Sequence, residues 1–213
     1  MAEQYNIIAE QDNSTVVARY EIAKRNRDCY QSEAELERWL IDQLQLQGYE
    51  YPHIRNEQEL LENLRVQLGK ANDTEYSDAE WKKILKEIAG EALTMEDKAA
   101  MIQKENTAIS IDRDNGLKTN VHLVHKDNIF KNRLQVINQY VPEGGTHSNR
   151  YDVTILVNGL PLVHIELKRR GVSIKEAFNQ INRYARESFW AGKGMFDYIQ
   201  LFVISNGTYT KYY

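Results

Sequence analysis

The chain of 213 residues has an ordinary composition, with 42% hydrophobic and 27% charged residues. No apolar run approaches the length needed to span a bilayer, and the acidic, polar start is not a secretory signal. Cys29 is the single cysteine, which excludes a disulfide framework and predicts a reducing, cytoplasmic location without membrane contact.

The net charge of −4 is divided unevenly along the chain. Residues 1–110 carry 13 Lys and Arg against 22 Asp and Glu (−9), whereas residues 111–213 carry 14 against 9 (+5). A surface that meets nucleic-acid phosphates requires positive charge. The second half of the chain is therefore the better candidate for such a surface.

The first predicted elements are a short strand over residues 15–21, preceded by an irregular arm, and an amphipathic helix over Gln31–Gln47. Ser32 and Glu35 form a capping-box pattern, and Gly48 ends the helix. Three glutamates crowd its first turns: Glu33, Glu35 and Glu37. Acidic residues interact favourably with a helix N-terminus. The functional alternative is that one of them lends a carboxylate to a metal site.

Further helical patterns form an acidic stretch without recognisable chemistry, and shorter β-rich patterns follow it. Helices are predicted over 58–68, 78–93 and 95–103, within a helical insertion of about 55–105. Strands are predicted over 108–113, 121–125 and 133–140. Three histidines lack metal-ligand spacing with any cysteine and are predicted to be structural or solvated: His122, His125 and His147.

The most informative stretch is Tyr151–Arg170, which has the pattern of a β-hairpin with charges in its apolar strands. The runs 151–157 and 161–167 flank Asn158-Gly159, a strong turn signal. Asp152 and Glu166 interrupt these runs, and Lys168 directly follows the second. Burying such groups costs free energy unless something pairs with them, which marks the hairpin as a candidate site.

Strand parity sets a geometric condition on this site. Glu166 and Lys168 are two residues apart and share a face, with Leu167 on the opposite face in the core. A strict two-residue turn would place Asp152 opposite the residue before Glu166, on the wrong face. Shared metal binding therefore predicts an odd-length loop over 158–160 or a β-bulge.

Two carboxylates and one ammonium on a rigid sheet suit phosphodiester hydrolysis. Carboxylates are hard ligands for Mg²⁺, and Mg²⁺ stabilises charge on a phosphate and lowers the pKa of a bound water. A neighbouring lysine can orient or deprotonate that water, or neutralise the developing charge. Asp152 and Glu166 are thus candidate metal ligands, and Lys168 is the candidate catalytic lysine.

Beyond the hairpin, the sequence predicts one helix and one strand. The S-x-x-E pattern at Ser173 begins a helix that runs to about residue 190, on which Gln180 and Tyr184 share a face. Gln180 and Tyr184 have two interpretations: they pack on the helix surface, or they form a polar pair beside a scissile phosphate. The solvent side nearby carries two arginines, Arg183 and Arg186. The apolar run Tyr198–Ser205 predicts a buried strand. Because the predicted helix crosses over from the second hairpin strand to this one, the two strands are expected to be parallel.

Three runs carry a family resemblance: RYDVTILVNGLPLVHIELKRRG, AFNQINRY and QLFVISNGTYTKYY. With them, the chain resembles the N-terminal nuclease region of the R (motor) subunit of type I restriction–modification enzymes, within the PD-(D/E)xK nuclease superfamily. The likeness is close from about residue 135 to 213 and looser over SEAELERWLIDQLQLQGYEY. Tyr151 stands where the strict motif has a proline before the aspartate.

The resemblance implies that Asp152 and Glu166 bind Mg²⁺, for which Mn²⁺ can substitute, and that Lys168 is catalytic. It also implies a third carboxylate from the first helix, with Glu37 preferred and Glu33 as its rival.

The same resemblance places the family's Q-x-x-x-Y element on Gln180 and Tyr184, where it would support DNA handling and cleavage. Basic side chains around the site are expected to contact the backbone of double-stranded DNA: Lys168, Arg169, Arg170, Arg183 and Arg186.

Full family members continue into an ATP-driven translocase and work with methyltransferase and specificity subunits. The phosphate-loop pattern G-x-x-x-x-G-K-[ST] does not occur in this sequence. ATP use is therefore expected only in a longer parent protein, and the strand-like end of the sequence fits that expectation.

The predicted fold is α/β, with a central mixed β-sheet flanked by helices, of the restriction-endonuclease type with additional helices. Residues 1–213 are expected to form one nuclease domain, with a core of about 31–50 and 108–213. Three functions compete: a Mg²⁺-dependent DNA endonuclease, a catalytically silent DNA-binding or docking module with the same fold, and a Mg²⁺-dependent phosphotransferase. The missing phosphate loop counts against the third.

Overall fold

The computed structural model describes residues 5–9, 17–20, 32–141, 150–172 and 194–212. These fall into two compact units, residues 1–30 and 31–213. In the first unit, β1 (Tyr5–Ala9) pairs antiparallel with β2 (Val17–Tyr20). The strand predicted over 15–21 is present, but the irregular arm predicted before it is wrong. The tyrosine and isoleucines of β1 favour extended backbone, and β2 supplies the pairing partner.

The helices of the second unit begin where the sequence places capping residues. They are α1 (Glu33–Leu46), α2 (Glu57–Ala71), α3 (Asp78–Ala89) and α4 (Met95–Gln103). Ser32, Ser77 and Thr94 each form a capping box, and the Asn56 side chain accepts a hydrogen bond from the first turn of α2. These caps satisfy backbone N–H groups that lack partners within the helix. α3 ends before Gly90 rather than at the predicted residue 93.

β3 (Ala108–Asp112) and β4 (Lys118–His122) form a separate antiparallel sheet. Pairing resumes directly after the turn, where the backbone N–H of Arg113 donates to the carbonyl of Leu117 over 2.8 Å. β4 therefore lies three residues earlier than the strand predicted over 121–125.

Five strands form the central mixed sheet. They are β5 (Leu134–Tyr140), β6 (Tyr151–Val157), β7 (Leu160–Leu167), β8 (Leu201–Ser205) and β9 (Thr210–Tyr212), in that order across the sheet. β7 and β8 are parallel, as predicted, and the other neighbours are antiparallel. β8 starts at Leu201 because Met195–Tyr198 form a short 3-10 helix. The predicted α/β class is confirmed.

Helices cover both faces of this sheet. One apolar cluster joins the sheet to α1: Leu36, Ile41, Leu44, Val136, Val153, Ile165 and Leu167. A larger cluster joins the other face to α2, α3 and α4, and it includes Leu60, Leu64, Ile84, Ile88, Ile102, Ile137 and Leu156. The strands that carry the candidate site are therefore held from two sides. Among the described residues, no helix has the length and apolar character needed to cross a membrane.

The turn between β6 and β7 is held against α2. Asn158 and Gly159 have positive φ angles of 52° and 86°, as the Asn-Gly signal predicts. A β-carbon on Gly159 would lie 2.6 Å from the Cα of Leu64, so only glycine fits there. The fully buried Asn158 donates to the carbonyl of Leu123 and to the Asn132 side chain. These contacts fix one end of the hairpin.

Candidate active site

A β-bulge in β7 sets the register of the hairpin. Leu162 is an extra residue, because Pro161 and Val163 pair with successive residues of β6. Beyond the bulge, Asp152 of β6 and Glu166 of β7 come opposite each other and share a face. The predicted bulge is confirmed, and it removes the need for an odd-length loop, which the structure does not use.

The alternation of β7 places charge and core on opposite faces. Leu167 and Ile165 pack in the cluster with α1, as predicted for Leu167. Glu166 faces the other way and is fully buried. The strand therefore offers a carboxylate from the interior of the sheet, where few waters can solvate it.

Asp152 lies across the strand pair and is held by the backbone. Its Oδ2 accepts a 2.8 Å hydrogen bond from the N–H of Leu167. Burial raises the pKa of Asp152 to about 7, with repulsion from Glu166 adding to the effect, although the Leu167 hydrogen bond opposes it. The environment thus resists a negative charge on Asp152 unless a cation compensates it.

Glu166 has one oxygen paired and one without a hydrogen bond. Its Oε1 accepts a 3.1 Å hydrogen bond from the Lys168 ammonium. Its Oε2 has no hydrogen-bond partner among the described residues and lies 3.6 Å from Nε2 of His164. Burial raises the pKa of Glu166 to about 7, despite the nearby lysine.

Lys168 is held as a cation between carboxylates. Burial on its own lowers the pKa of Lys168, but Glu166, Asp152 and Glu33 outweigh that effect and raise it above its ordinary value. Its Nζ lies 3.9 Å from Oε2 of Glu33, in addition to the bond to Glu166. A charged lysine is suited to neutralising negative charge and is a poor proton acceptor.

The glutamates of α1 occupy three different environments. Glu35 is used by the capping box with Ser32. Glu37 accepts hydrogen bonds from Asn138 and Gln139 of β5, the latter over 2.8 Å. Glu33 lies beside Lys168, and one of its oxygens also accepts from the N–H of Arg169 over 3.4 Å. Glu33 is thus the glutamate that contacts the proposed catalytic lysine, while Glu37 lies at the neighbouring strand.

The donor set fits a divalent cation of the Mg²⁺ type. The fully buried Glu166 carboxyl and the half-buried Asp152 carboxyl share a face, and the surroundings disfavour a negative charge on either. One buried oxygen of Glu166 has no hydrogen-bond partner among the described residues. Within the described residues, no group of three or more His, Cys, Asp or Glu side chains is gathered for a metal. Mg²⁺ is commonly held by one or two carboxylates, with waters and substrate phosphate completing its shell.

The other predicted site residues divide into two groups. Arg169 is exposed beside the site, and the half-buried Arg170 donates to the carbonyl of Gly207 over 3.3 Å. Gln180, Tyr184, Arg183 and Arg186 lie outside the described residues.

The histidines predicted to be structural or solvated divide in the same way. The rings of His122, the last residue of β4, and His125, just beyond that strand, stack with their centroids 5.0 Å apart, and His125 contacts the carbonyl of Ala71. Those contacts fit the structural role predicted for these two, whereas His147 lies outside the described residues.

Sequence reasoning missed His164 at this site. It lies two residues before Glu166, so strand parity places both on one face. The signal that could have found it is a polar ring within the apolar run LPLVHIEL.

A mixed sheet with helices on both faces and a carboxylate pair at its centre defines an α/β protein with a candidate metal-assisted site. Residues 30–213 match the family model described as the type I restriction enzyme R protein N terminus. The chain therefore belongs to the family of type I restriction enzyme R protein N-termini.

Three relatives illustrate the range of the similarity. The chain is 46% identical over 208 residues to the type I restriction enzyme EcoprrI endonuclease subunit of Escherichia coli, which covers 97% of this chain and 66% of the relative. It is 42% identical over 188 residues to the SsaAORF53P endonuclease subunit of Staphylococcus saprophyticus, covering 86% of this chain and 19% of the relative. A putative endonuclease subunit of Methanocaldococcus jannaschii is 30% identical over 150 residues, 66% of this chain and 14% of the relative. The chain thus spans between about a seventh and two thirds of these relatives.

Proposed function

We propose that the chain is the Mg²⁺-dependent DNA endonuclease module of a type I restriction enzyme R subunit, with a PD-(D/E)xK site that hydrolyses phosphodiester bonds. The observation that carries the proposal is the pairing of the half-buried Asp152 with the fully buried Glu166, brought onto one face by the bulge, with the Lys168 ammonium beside them. The names of the relatives, all endonuclease subunits, support the same class of activity.

Each side chain has a separate part in this proposal. Asp152 and Glu166 would hold the cation, with Mn²⁺ able to replace Mg²⁺, and Glu37 or Glu33 would complete the set from α1. The bound cation would supply charge stabilisation on the phosphate and a more acidic water. The N–H of Leu167 keeps the Asp152 carboxylate turned toward the site. Lys168, protonated at neutral pH, neutralises the negative charge that develops on the phosphate.

The basic residues that flank the site would position duplex DNA without reading its sequence. Arg169 is exposed next to Lys168 and is suited to a phosphate contact. We assign Gln180, Tyr184, Arg183 and Arg186 to DNA handling by the same proposal. Arg170 combines such a contact with support of the β8–β9 turn through Gly207.

The remaining functions belong to the whole protein. The chain is short compared with its relatives, so we place ATP-driven translocation in other parts of a longer parent chain. Sequence recognition and methylation would come from specificity and methyltransferase subunits, in the cytoplasm.

The proposal is tested in the full-length parent subunit, assembled with its partners, by changing Lys168 to alanine. We expect plasmid cleavage to fall by at least about a hundredfold, because the charge that offsets the phosphate is lost, while ATP hydrolysis is retained. Lys118→Ala, an exposed lysine on β4, serves as the matched control. Cleavage at the normal rate by the Lys168 variant would exclude this hairpin as the active site.

A further inference from the structure

His164 is a buried histidine to which the proposed chemistry gives no role. Its side chain and that of Glu166 are both fully buried on the same face of β7. Nε2 of His164 lies 3.6 Å from Oε2 of Glu166, which is the carboxylate oxygen that Lys168 does not bind. This distance is too long for a hydrogen bond but is a direct polar contact within the sheet.

Thr154 contacts the other ring nitrogen of His164. The Oγ1 atom of Thr154, on the facing strand, lies 3.5 Å from Nδ1 of His164, and both side chains are buried. A neutral imidazole has one donor and one acceptor nitrogen. When the threonine hydroxyl donates toward Nδ1, the ring proton stays on Nε2 and points toward Glu166. The ring itself is held by edge contacts with Tyr151 and Phe202, at centroid distances of 5.2 and 6.2 Å.

An uncharged donor suits the neighbour of a metal-binding carboxylate. Full burial of His164 disfavours the charged imidazolium, so the ring is held in its neutral form. A neutral N–H can hold the orientation of a carboxylate without adding a positive charge that would repel a cation. Partners of this kind orient metal ligands in many proteins, and contacts that are long in the free protein often tighten when the ligand binds.

We propose that His164 is a positioning residue that orients the Glu166 carboxylate for the divalent cation, and that Thr154 sets the tautomer needed for this. The inference rests on the proposed function, since it presumes that Glu166 binds the cation. His164 itself is not a ligand in this proposal, because the hard cation favours oxygen over imidazole.

The test measures Mn²⁺ affinity by calorimetry in the full-length parent complex, for wild type and for variants of His164 and Thr154. Only the Mn²⁺ site that disappears in Glu166→Gln is compared. His164→Leu keeps apolar bulk but removes the N–H, and we expect it to weaken Mn²⁺ binding by at least about tenfold. His164→Gln can place an amide N–H in the same direction and should bind within about threefold of wild type. Thr154→Val should give a smaller loss than His164→Leu. Melting temperatures without metal show whether each variant is folded.

Cleavage measured against Mg²⁺ concentration gives a second readout. Orientation of Glu166 predicts that His164→Leu needs more Mg²⁺ and regains most of its maximal rate at saturation. Suppose that Glu166→Gln loses the Mn²⁺ site but a folded His164→Leu variant binds Mn²⁺ as wild type does. That result would overturn the positioning role of His164 and leave the proposed function standing. Equal loss in His164→Leu and His164→Gln would also overturn it, since the donor would not matter. Wild-type binding and cleavage by Glu166→Gln would instead overturn the proposed function.

Discussion

The carboxyl groups of Asp152 and Glu166 hold their protons to a higher pH in the folded chain than in the unfolded one. Burial raises their pKa values from 3.8 and 4.5 to about 7, and the two groups titrate as a pair. The folded state therefore binds more protons than the unfolded state between about pH 4 and pH 7. Stability from this pair is present at acidic pH and is lost as the pH rises through about 7.

A divalent cation should reverse this loss. We predict that saturating Mg²⁺ raises the melting temperature more at pH 8 than at pH 5, because protons compete for the same carboxylates at the lower pH. Thermal unfolding at the two pH values measures the difference.

The double variant Asp152→Asn/Glu166→Gln is the control, and it should show neither the pH effect nor the Mg²⁺ effect. His164 acts in the opposite sense, since its lowered pKa removes stability as the pH falls from about 6.5 to 4. His164 is present in both proteins, so the difference in melting temperature between wild type and the double variant reports the carboxylates alone. An equal Mg²⁺ shift at both pH values would contradict the prediction.

At the residue scale, parity was enough to predict that Glu166 and Lys168 share a face and that either an odd-length loop or a bulge brings Asp152 opposite Glu166. Parity did not decide between the two, and the structure has the bulge. The environments of Glu33 and Glu37 could not be predicted, because helical spacing places both near the start of α1. They are separated by contacts from other elements: Asn138 and Gln139 hold Glu37, whereas Lys168 approaches Glu33. Such contacts depend on side-chain packing that a single sequence does not display.

At the element scale, the hairpin turn depends on the absence of a side chain at Gly159. Its φ of 86° disfavours other residues, and its missing β-carbon makes room for Leu64 of α2. We predict that Gly159→Ala lowers the free energy of unfolding by more than about 1 kcal/mol. Urea unfolding checks the change.

Gly116 provides the matched control for that substitution. It has a similar φ of 79° but nothing within 4 Å of the position of a β-carbon. Gly116→Ala therefore carries only the backbone penalty, and the extra loss in Gly159→Ala reports the clash with α2. Equal losses in the two variants would show that the close approach to Leu64 is not important.

Helix starts were predictable because their signals are local: Ser32, Ser77 and Thr94 act through hydrogen bonds within one turn. Strand boundaries were less predictable, because a strand needs a pairing partner from elsewhere in the chain. β4 starts at Lys118, where the turn after β3 brings the chain back, and its apolar residues come only later. β1 forms because β2 pairs with it, and the sequence of β1 alone does not indicate that pairing.

At the scale of the whole molecule, a buried ion pair ties α4 to the segment that leads into β8. The Lys98 ammonium lies 2.7 Å from Oδ2 of Asp197 and donates to the carbonyl of Gly194 over 3.1 Å. Both side chains are buried, and burial raises the pKa of Asp197 although Lys98 opposes the shift. The pair joins residues that lie about a hundred positions apart in the sequence.

Removing one partner should be more harmful than removing both. We predict that Lys98→Met lowers the free energy of unfolding at pH 7 by about 3 kcal/mol or more, because Asp197 is left buried without its cation. Denaturant unfolding measures the loss. The double variant Lys98→Met/Asp197→Leu should regain much of it, and a double variant as unstable as the single one would contradict this reasoning.

The α/β class and the parallel pairing of β7 with β8 followed from the order of patterns along the chain, since a crossover helix favours that arrangement. The Lys98–Asp197 pair did not follow, because Lys98 looks like any other lysine of an acidic, amphipathic stretch. Long-range pairing of this kind appears only when α4 is packed against the sheet.

The most direct test of the proposed site is anomalous diffraction from crystals of the protein soaked in Mn²⁺. We predict a single strong peak at bonding distance from carboxylate oxygens of both Asp152 and Glu166, and the same map would show whether Glu33 or Glu37 joins them. A peak elsewhere in the molecule, with the Asp152 and Glu166 carboxyl groups bonded to no metal, would contradict the assignment of this hairpin as the metal-dependent cleavage site.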